Sequence, residues 1–271
     1  MVPTLNAVEL PNQVRIPYIE QGDRRGTPVI LLHGYPDSSY SFMPLLPFLP
    51  PSIRAIAPTQ RGFGDASRPD SGYTMDDFAG DVLALMDVLR IEAAVVVGHS
   101  MGSLISQRFA IRYPERTLGL VLIGTASIFS NHPDLQAFQE AVEAMQGALD
   151  PDLVHEFQAG MFMNPPAPGL LDGLIAESLK APVHVWQQAL RGIMTTNTSD
   201  DLSRITAPTV IIWGTEDPLC PRSEQEILLA GIDNSRLSVY RGGGHCVNWE
   251  QPDAVAAEIV ELASRAGTAA V

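Results

Sequence analysis

A chain of 271 residues, 45% of them hydrophobic, can bury one large core with room for an inserted segment. Its net charge of −14 and isoelectric point near 4.7 argue against the basic surfaces that hold nucleic-acid backbones or anionic membranes. Two cysteines, Cys220 and Cys246, are too few for a disulfide scaffold and lack zinc-site spacing, so both are read as free thiols. No apolar run approaches the roughly 20 residues that span a bilayer, and residues 1–10 carry neither the basic nor the apolar part of a secretory signal. A cytoplasmic protein without membrane or nucleic-acid partners is therefore expected.

Two short segments come first, near 8–10 and 15–20, and are expected to form an antiparallel edge. From residue 29 onward, β-rich runs at 29–32, 53–57, 94–97, 118–123, 209–213 and 237–240 alternate with helix-period segments. That pattern predicts an α/β fold, an eight-stranded mostly parallel sheet with helices on both faces. A helix over 75–90 places Phe78, Val82, Leu85 and Leu89 on one face, and Thr74 with Asp77 makes a capping box at its start. A second helix is expected over 104–112, ending before Tyr113-Pro114, and a last one opens at Gln251-Pro252 and buries Val255, Ile259 and Leu262. A frayed tail is expected after Arg265. Between residues 123 and 209 the alternation stops, and Pro and Gly turns separate several short helices. The chain is thus divided into a core domain, 1–125 and 206–271, and an inserted helical cap or lid, 126–205. Within the insertion Phe129, Met161, Phe162, Trp186, Leu190 and Met194 are candidates for lining an apolar substrate pocket.

Gly98-His99-Ser100-Met101-Gly102 follows one strand and precedes a helix, the setting of a G-x-S-x-G nucleophile elbow. The sharp turn leaves no space for side chains two positions either side of the serine, which glycine satisfies. A serine hydroxyl is a poor nucleophile until a histidine takes its proton and a carboxylate fixes the imidazole tautomer. Of six histidines, His245 alone sits on a Gly-rich loop between the last strand and the last helix. His132, His155 and His184 fall in the insertion and are read as surface or structural groups, and His99 is given no chemical role. Asp217, before Pro218 in the loop after 209–213, is the expected carboxylate, with Glu216 its neighbouring rival. The loop after 118–123 reads Gly124-Thr125-Ala126-Ser127 and offers no acid. Backbone N–H groups of Met101 and Tyr35 are the expected oxyanion donors, and His33 is expected to be a buried residue shaping the Tyr35 loop.

With these motifs in place, the chain resembles the α/β-hydrolase family, in the branch that holds esterases, lactonases, carbon–carbon bond hydrolases, haloalkane dehalogenases and epoxide hydrolases. The resemblance spans nearly the whole chain and rests on His33-Gly34, Arg61-Gly62-Phe63-Gly64, the elbow at 98–102, Trp213-Gly214 with Asp217, and Gly244-His245 with Trp249, Glu250 and Pro252. Ser100 stands where dehalogenases and epoxide hydrolases use aspartate. Thr59 replaces a frequent aspartate and is expected to alter only the support of its loop. Ser103 replaces a common glycine, a departure from the cofactor-free perhydrolase-like pattern.

Hydrolysis of a small to medium, mostly hydrophobic carboxylic ester or lactone through an acyl-enzyme is the function this implies, by a monomer or homodimer. Carbon–carbon bond hydrolysis of ring-cleavage products is the second reading; their carboxylate calls for an arginine at the pocket, and Arg191 is the lid candidate. A triad-retaining ligand receptor is the third. No metal, nucleotide or flavin motif is present, so no cofactor is expected.

Overall fold

A computed structural model describes residues 2–269. Eight strands form one sheet: β1 (Thr4–Glu9), β2 (Arg15–Gln21), β3 (Thr27–Leu32), β4 (Ile53–Pro58), β5 (Ala94–His99), β6 (Thr117–Ile123), β7 (Thr209–Gly214) and β8 (Ser235–Tyr240). Their spatial order is β1-β2-β4-β3-β5-β6-β7-β8. β1 and β2 are antiparallel to their neighbours and the other six strands run parallel. The inner parallel strands β3, β5, β6 and β7 are largely buried on both faces, so each carries a continuous apolar run. The two-residue period then sorts the side chains: Ile30, Leu32, Val96, Leu120 and Leu122 enter one core, Leu31, Val95, Val97, Val121 and Ile123 the other.

The first core is covered by α1 (Met75–Val88), α2 (Met101–Arg112) and α7 (Arg222–Gly231). The second is covered by α9 (Pro252–Ala269), which buries Val255, Ile259 and Leu262 as the sequence predicts. α8 (Val247–Glu250) is a single turn leading into it. Thr74 and Asp77 form the expected capping box on α1. Three boundaries differ from expectation by more than two residues. β1 begins at Thr4 and ends before Leu10, because this outer strand is mostly exposed and lacks the apolar alternation that marks the others. α2 starts at Met101, directly after the serine, and α9 continues past Arg265 to Ala269 where a frayed tail is expected. α7 has no counterpart among the predicted elements; its sequence RSEQEILLAG buries only Gln225 and Leu228, too little apolar rhythm to read.

Between β6 and β7 the chain leaves the sheet for α3 (Pro133–Glu143), α4 (Pro151–Gly160), α5 (Leu170–Ser178) and α6 (Val183–Thr195). Tyr35 wedges this insertion onto the sheet: its ring meets Phe138, Phe157 and Trp186 edge-on, and its hydroxyl donates to the Trp186 carbonyl at 3.2 Å. Among the described residues no helix is long and apolar enough to cross a membrane.

Candidate active site

Ser100 stands at the junction of β5 and α2 with φ +53°, a left-handed conformation that a side-chain-bearing residue adopts at a cost of about 1–3 kcal/mol. The turn is closed by its glycines. A Cβ on Gly98 would lie 2.1 Å from the Gly102 carbonyl oxygen, and one on Gly102 would lie 2.1 Å from that of Leu32. The Ser100 N–H is satisfied by the Ile123 carbonyl at 2.9 Å, so the strained residue is pinned to the neighbouring strand.

His245 Nε2 is 2.9 Å from Ser100 Oγ, and its Nδ1 is 3.0 Å from Asp217 Oδ2 and 3.1 Å from Oδ1. Asp217 Oδ1 also accepts the N–H groups of Leu219 and Cys220 at 2.9 and 3.1 Å. Burial opposes the charge on Asp217, but the attraction of His245, its hydrogen bond and these two amides outweigh it and hold the carboxyl below its usual range. Glu216, the rival carboxylate, is exposed and bonded by the Thr215 hydroxyl. The histidine loop is anchored by Glu250, which accepts the N–H groups of Gly244 at 3.0 Å and Met163 at 2.9 Å. Loop and insertion therefore share one carboxylate.

Two backbone N–H groups, Tyr35 after β3 and Met101 at the start of α2, have no hydrogen-bond partner among the described residues. His33 is fully buried below the Tyr35 loop: its Nε2 accepts the Gln60 N–H at 2.9 Å, so Nδ1 carries the proton and donates to the Gly34 carbonyl at 2.8 Å. Thr59 supports the same loop, accepting the Ser39 N–H and donating to the Ser39 hydroxyl.

A narrow cavity of about 40 Å³ opens over Ser100 and His245. Of the six apolar candidates in the insertion, Phe129, Met161 and Leu190 line it. The other three do not. Trp186 is packed against Tyr35 and Phe157, Met194 is buried in the core from α6, and Phe162 packs at a tilt against Trp249. Their facing depends on how four short helices pack on one another, which no local pattern encodes. Arg191 also stays outside the cavity, tied to Glu143 by three contacts.

Three polar residues in the cavity wall were not among the candidates: Asp37, Gln158 and His99. Gln158 is the one polar position, beside Val154, on the buried face of α4, which is the signal that points to it. His99 lies 5.3 Å from the His245 ring, and neither of its ring nitrogens makes a hydrogen bond of good geometry among the described residues. Among the described residues, one group of three donors is close enough to hold a cation: Asp217, Cys220 and His245, within 4.8 Å. Burial, with nearby Asp217, pushes the Cys220 thiol well up, which keeps it protonated and makes it a poor ligand. Both cysteines are free and buried.

These buried groups predict acid sensitivity. Burial lowers His33 to about 4, and burial together with His245 lowers His99 to about 3, while burial raises Asp37 to about 7. Between about pH 4.5 and 6 the unfolded chain holds a proton on each histidine that the folded chain lacks, and the folded chain holds one on Asp37 that the unfolded chain lacks. One net proton favours unfolding, so stability falls as pH drops, by about 1.4 kcal/mol per unit. Urea unfolding at pH 6 and pH 5 measures the slope, and a flat or rising stability toward pH 5 contradicts it.

The family model described as alpha/beta hydrolase fold matches residues 27–252. The chain is 32% identical to a putative non-heme chloroperoxidase of Synechocystis sp. over 250 residues, covering 85% of this chain and 88% of that protein. It is 28% identical over 260 residues to 2-hydroxy-6-oxo-6-phenylhexa-2,4-dienoate hydrolase of Burkholderia cepacia, covering 85% of each. Its fold superposes on that of an esterase from Exiguobacterium antarcticum with a TM-score of 0.86 at 23% identity, over 96% of this chain and all of that one.

Proposed function

Because the chain belongs to the alpha/beta hydrolase fold family, we propose that it is a serine hydrolase of small to medium, mostly hydrophobic carboxylic esters or lactones. The observation that carries this reading is the unbroken line from Ser100 through His245 to Asp217, at 2.9 and 3.0 Å, beneath a largely apolar cavity. Ser100 Oγ attacks the ester carbonyl while His245 Nε2 takes its proton. The oxyanion is met by the N–H groups of Tyr35 and Met101, whose lack of other partners suits them to that charge. His245 returns the proton to the leaving alcohol, then draws one from water, which releases the acid and restores Ser100. Asp217 holds Nδ1 protonated throughout. The segment 126–205 acts as a cap that supplies the apolar wall through Phe129, Met161 and Leu190, and the rest of the chain is the catalytic core.

Carbon–carbon bond hydrolysis of ring-cleavage products such as dienoic diketo acids, the second reading of the sequence, is less favoured here, although the Burkholderia relative is named a 2-hydroxy-6-oxo-6-phenylhexa-2,4-dienoate hydrolase. That substrate is a carboxylate, and the cavity wall offers it an aspartate and neither lysine nor arginine. The deciding experiment compares p-nitrophenyl esters from acetate to decanoate with such a diketo acid. Turnover is expected to peak at short to medium acyl chains, since a cavity of this size holds only a few waters before side chains must shift. Faster turnover of the diketo acid than of any ester would overturn the reading.

A further inference from the structure

Asp37, from the loop after β3, and Gln158, from α4, meet in the cavity wall, and both are buried. Gln158 Nε2 donates to Asp37 Oδ1 at 2.8 Å and to Ser178 Oγ at 2.9 Å, while Ser178 Oγ donates onward to the Leu174 carbonyl at 2.7 Å. The direction of this chain fixes the amide: both its hydrogens are used, and its Oε1 faces no donor among the described residues. The wall thus carries the Asp37 carboxyl beside an amide whose oxygen is buried and unpartnered among the described residues, with Tyr35, Phe157, Met161 and other mostly apolar neighbours around them. An apolar enclosure tolerates such groups only when a donor reaches them.

Resting on the reading of this cavity as the substrate pocket, we propose that Asp37, held by Gln158, is a specificity subsite that accepts a hydrogen bond from a hydroxyl or ammonium group on an otherwise apolar ester. The ionised subsite disfavours anionic esters, because no lysine or arginine lines the cavity to offset Asp37.

A merely structural clasp between insertion and sheet affects every ligand alike, so the test compares matched ligands in one protein. Ser100→Ala leaves the ester intact and allows calorimetric affinities for p-nitrophenyl butyrate against p-nitrophenyl 3-hydroxybutyrate, and for the hexanoate against the 6-aminohexanoate. At about pH 8.5, above the value of about 7 to which burial raises Asp37, the donor-bearing member of at least one pair is expected to bind about tenfold tighter, a usual worth for a hydrogen bond to a charged acceptor. Adding Asp37→Leu to Ser100→Ala removes that difference. Asp37→Asn, close to isosteric, serves if leucine prevents folding, and reduces the ammonium preference more than the hydroxyl preference. Equal affinities within both pairs, or a preference that survives loss of Asp37, would overturn the proposal. Turnover of the unsubstituted butyrate by the unaltered protein reports separately on the hydrolase reading, so the two failures are distinct.

Discussion

Ser100→Ala is expected to lower turnover of the best p-nitrophenyl ester by about four to six orders of magnitude while the protein stays folded. The substitution removes one oxygen and nothing that holds the elbow together. The backbone N–H of residue 100 still bonds the Ile123 carbonyl, and Gly98 and Gly102 still allow the close approach of strand and helix. Alanine tolerates φ +53° no better and no worse than serine, so thermal unfolding is expected to shift little. His245, Asp217 and the two N–H donors remain and sustain residual catalysis above water, which is why the loss stops short of the whole rate enhancement. Stopped assays with purified wild type and variant, alongside a melting curve for each, give the measurement. Retention of more than a hundredth of the activity would remove Ser100 from the chemistry.

Asp217→Asn is expected to cost about four orders of magnitude in kcat, and the reason lies in a tautomer. In the native site Oδ1 is committed to the Leu219 and Cys220 amides, which leaves Oδ2 to receive the proton on His245 Nδ1. An asparagine keeps those two amides satisfied only by placing its oxygen there, which turns its NH₂ toward His245. Nδ1 must then accept, and the single imidazole proton moves to Nε2, the atom that faces Ser100 Oγ. A protonated Nε2 cannot take the serine proton, although every heavy atom keeps its place. The activity that remains is expected to rise with pH where the wild type has levelled off, as hydroxide takes over from the lost base. An asparagine variant within tenfold of wild type at neutral pH would show that Asp217 does not set the tautomer.

The residues that meet at the site were readable where the chain itself announces a local geometry. Ser100 stands between two glycines at a strand-to-helix junction, Asp217 precedes a proline at the end of β7, and His245 follows three glycines. Such signals depend on backbone sterics over five residues or fewer, so they survive without knowledge of the fold. The inner strands β3, β5, β6 and β7 were legible for a related reason, since burial on both faces leaves few polar residues to interrupt the run. β1 and α7 were misjudged or missed because each is half exposed and its few apolar residues set no rhythm. The cavity wall was the least legible part. Asp37 and Gln158 are separated by 121 positions and meet only because α4 lies over the loop after β3. Trp186 and Met194, large and apolar in the right segment, were drawn toward the substrate by composition, while packing turned them into the support behind it. Hydrophobicity identifies what is buried, and only the arrangement of helices decides against what.

Every proposed proton-handling group hangs from the sheet: Ser100 after β5, Asp217 after β7 and His245 after β8, with the Tyr35 amide after β3. The insertion leaves the sheet after β6, a strand whose following loop carries no acid or base, Gly124-Thr125-Ala126-Ser127. Under the proposed assignment, the part of the cavity wall that the insertion supplies can therefore change separately from the chemistry, while Asp37 stays with the sheet. Changes confined to the four helices of the insertion can rewrite which molecule is held without disturbing how its bond is broken, so long as Glu250 and Tyr35 keep their grip on it. A lineage built this way is free to try new substrates at little risk to its reaction, and relatives bearing names as unlike as non-heme chloroperoxidase and dienoate hydrolase are what such freedom would leave behind.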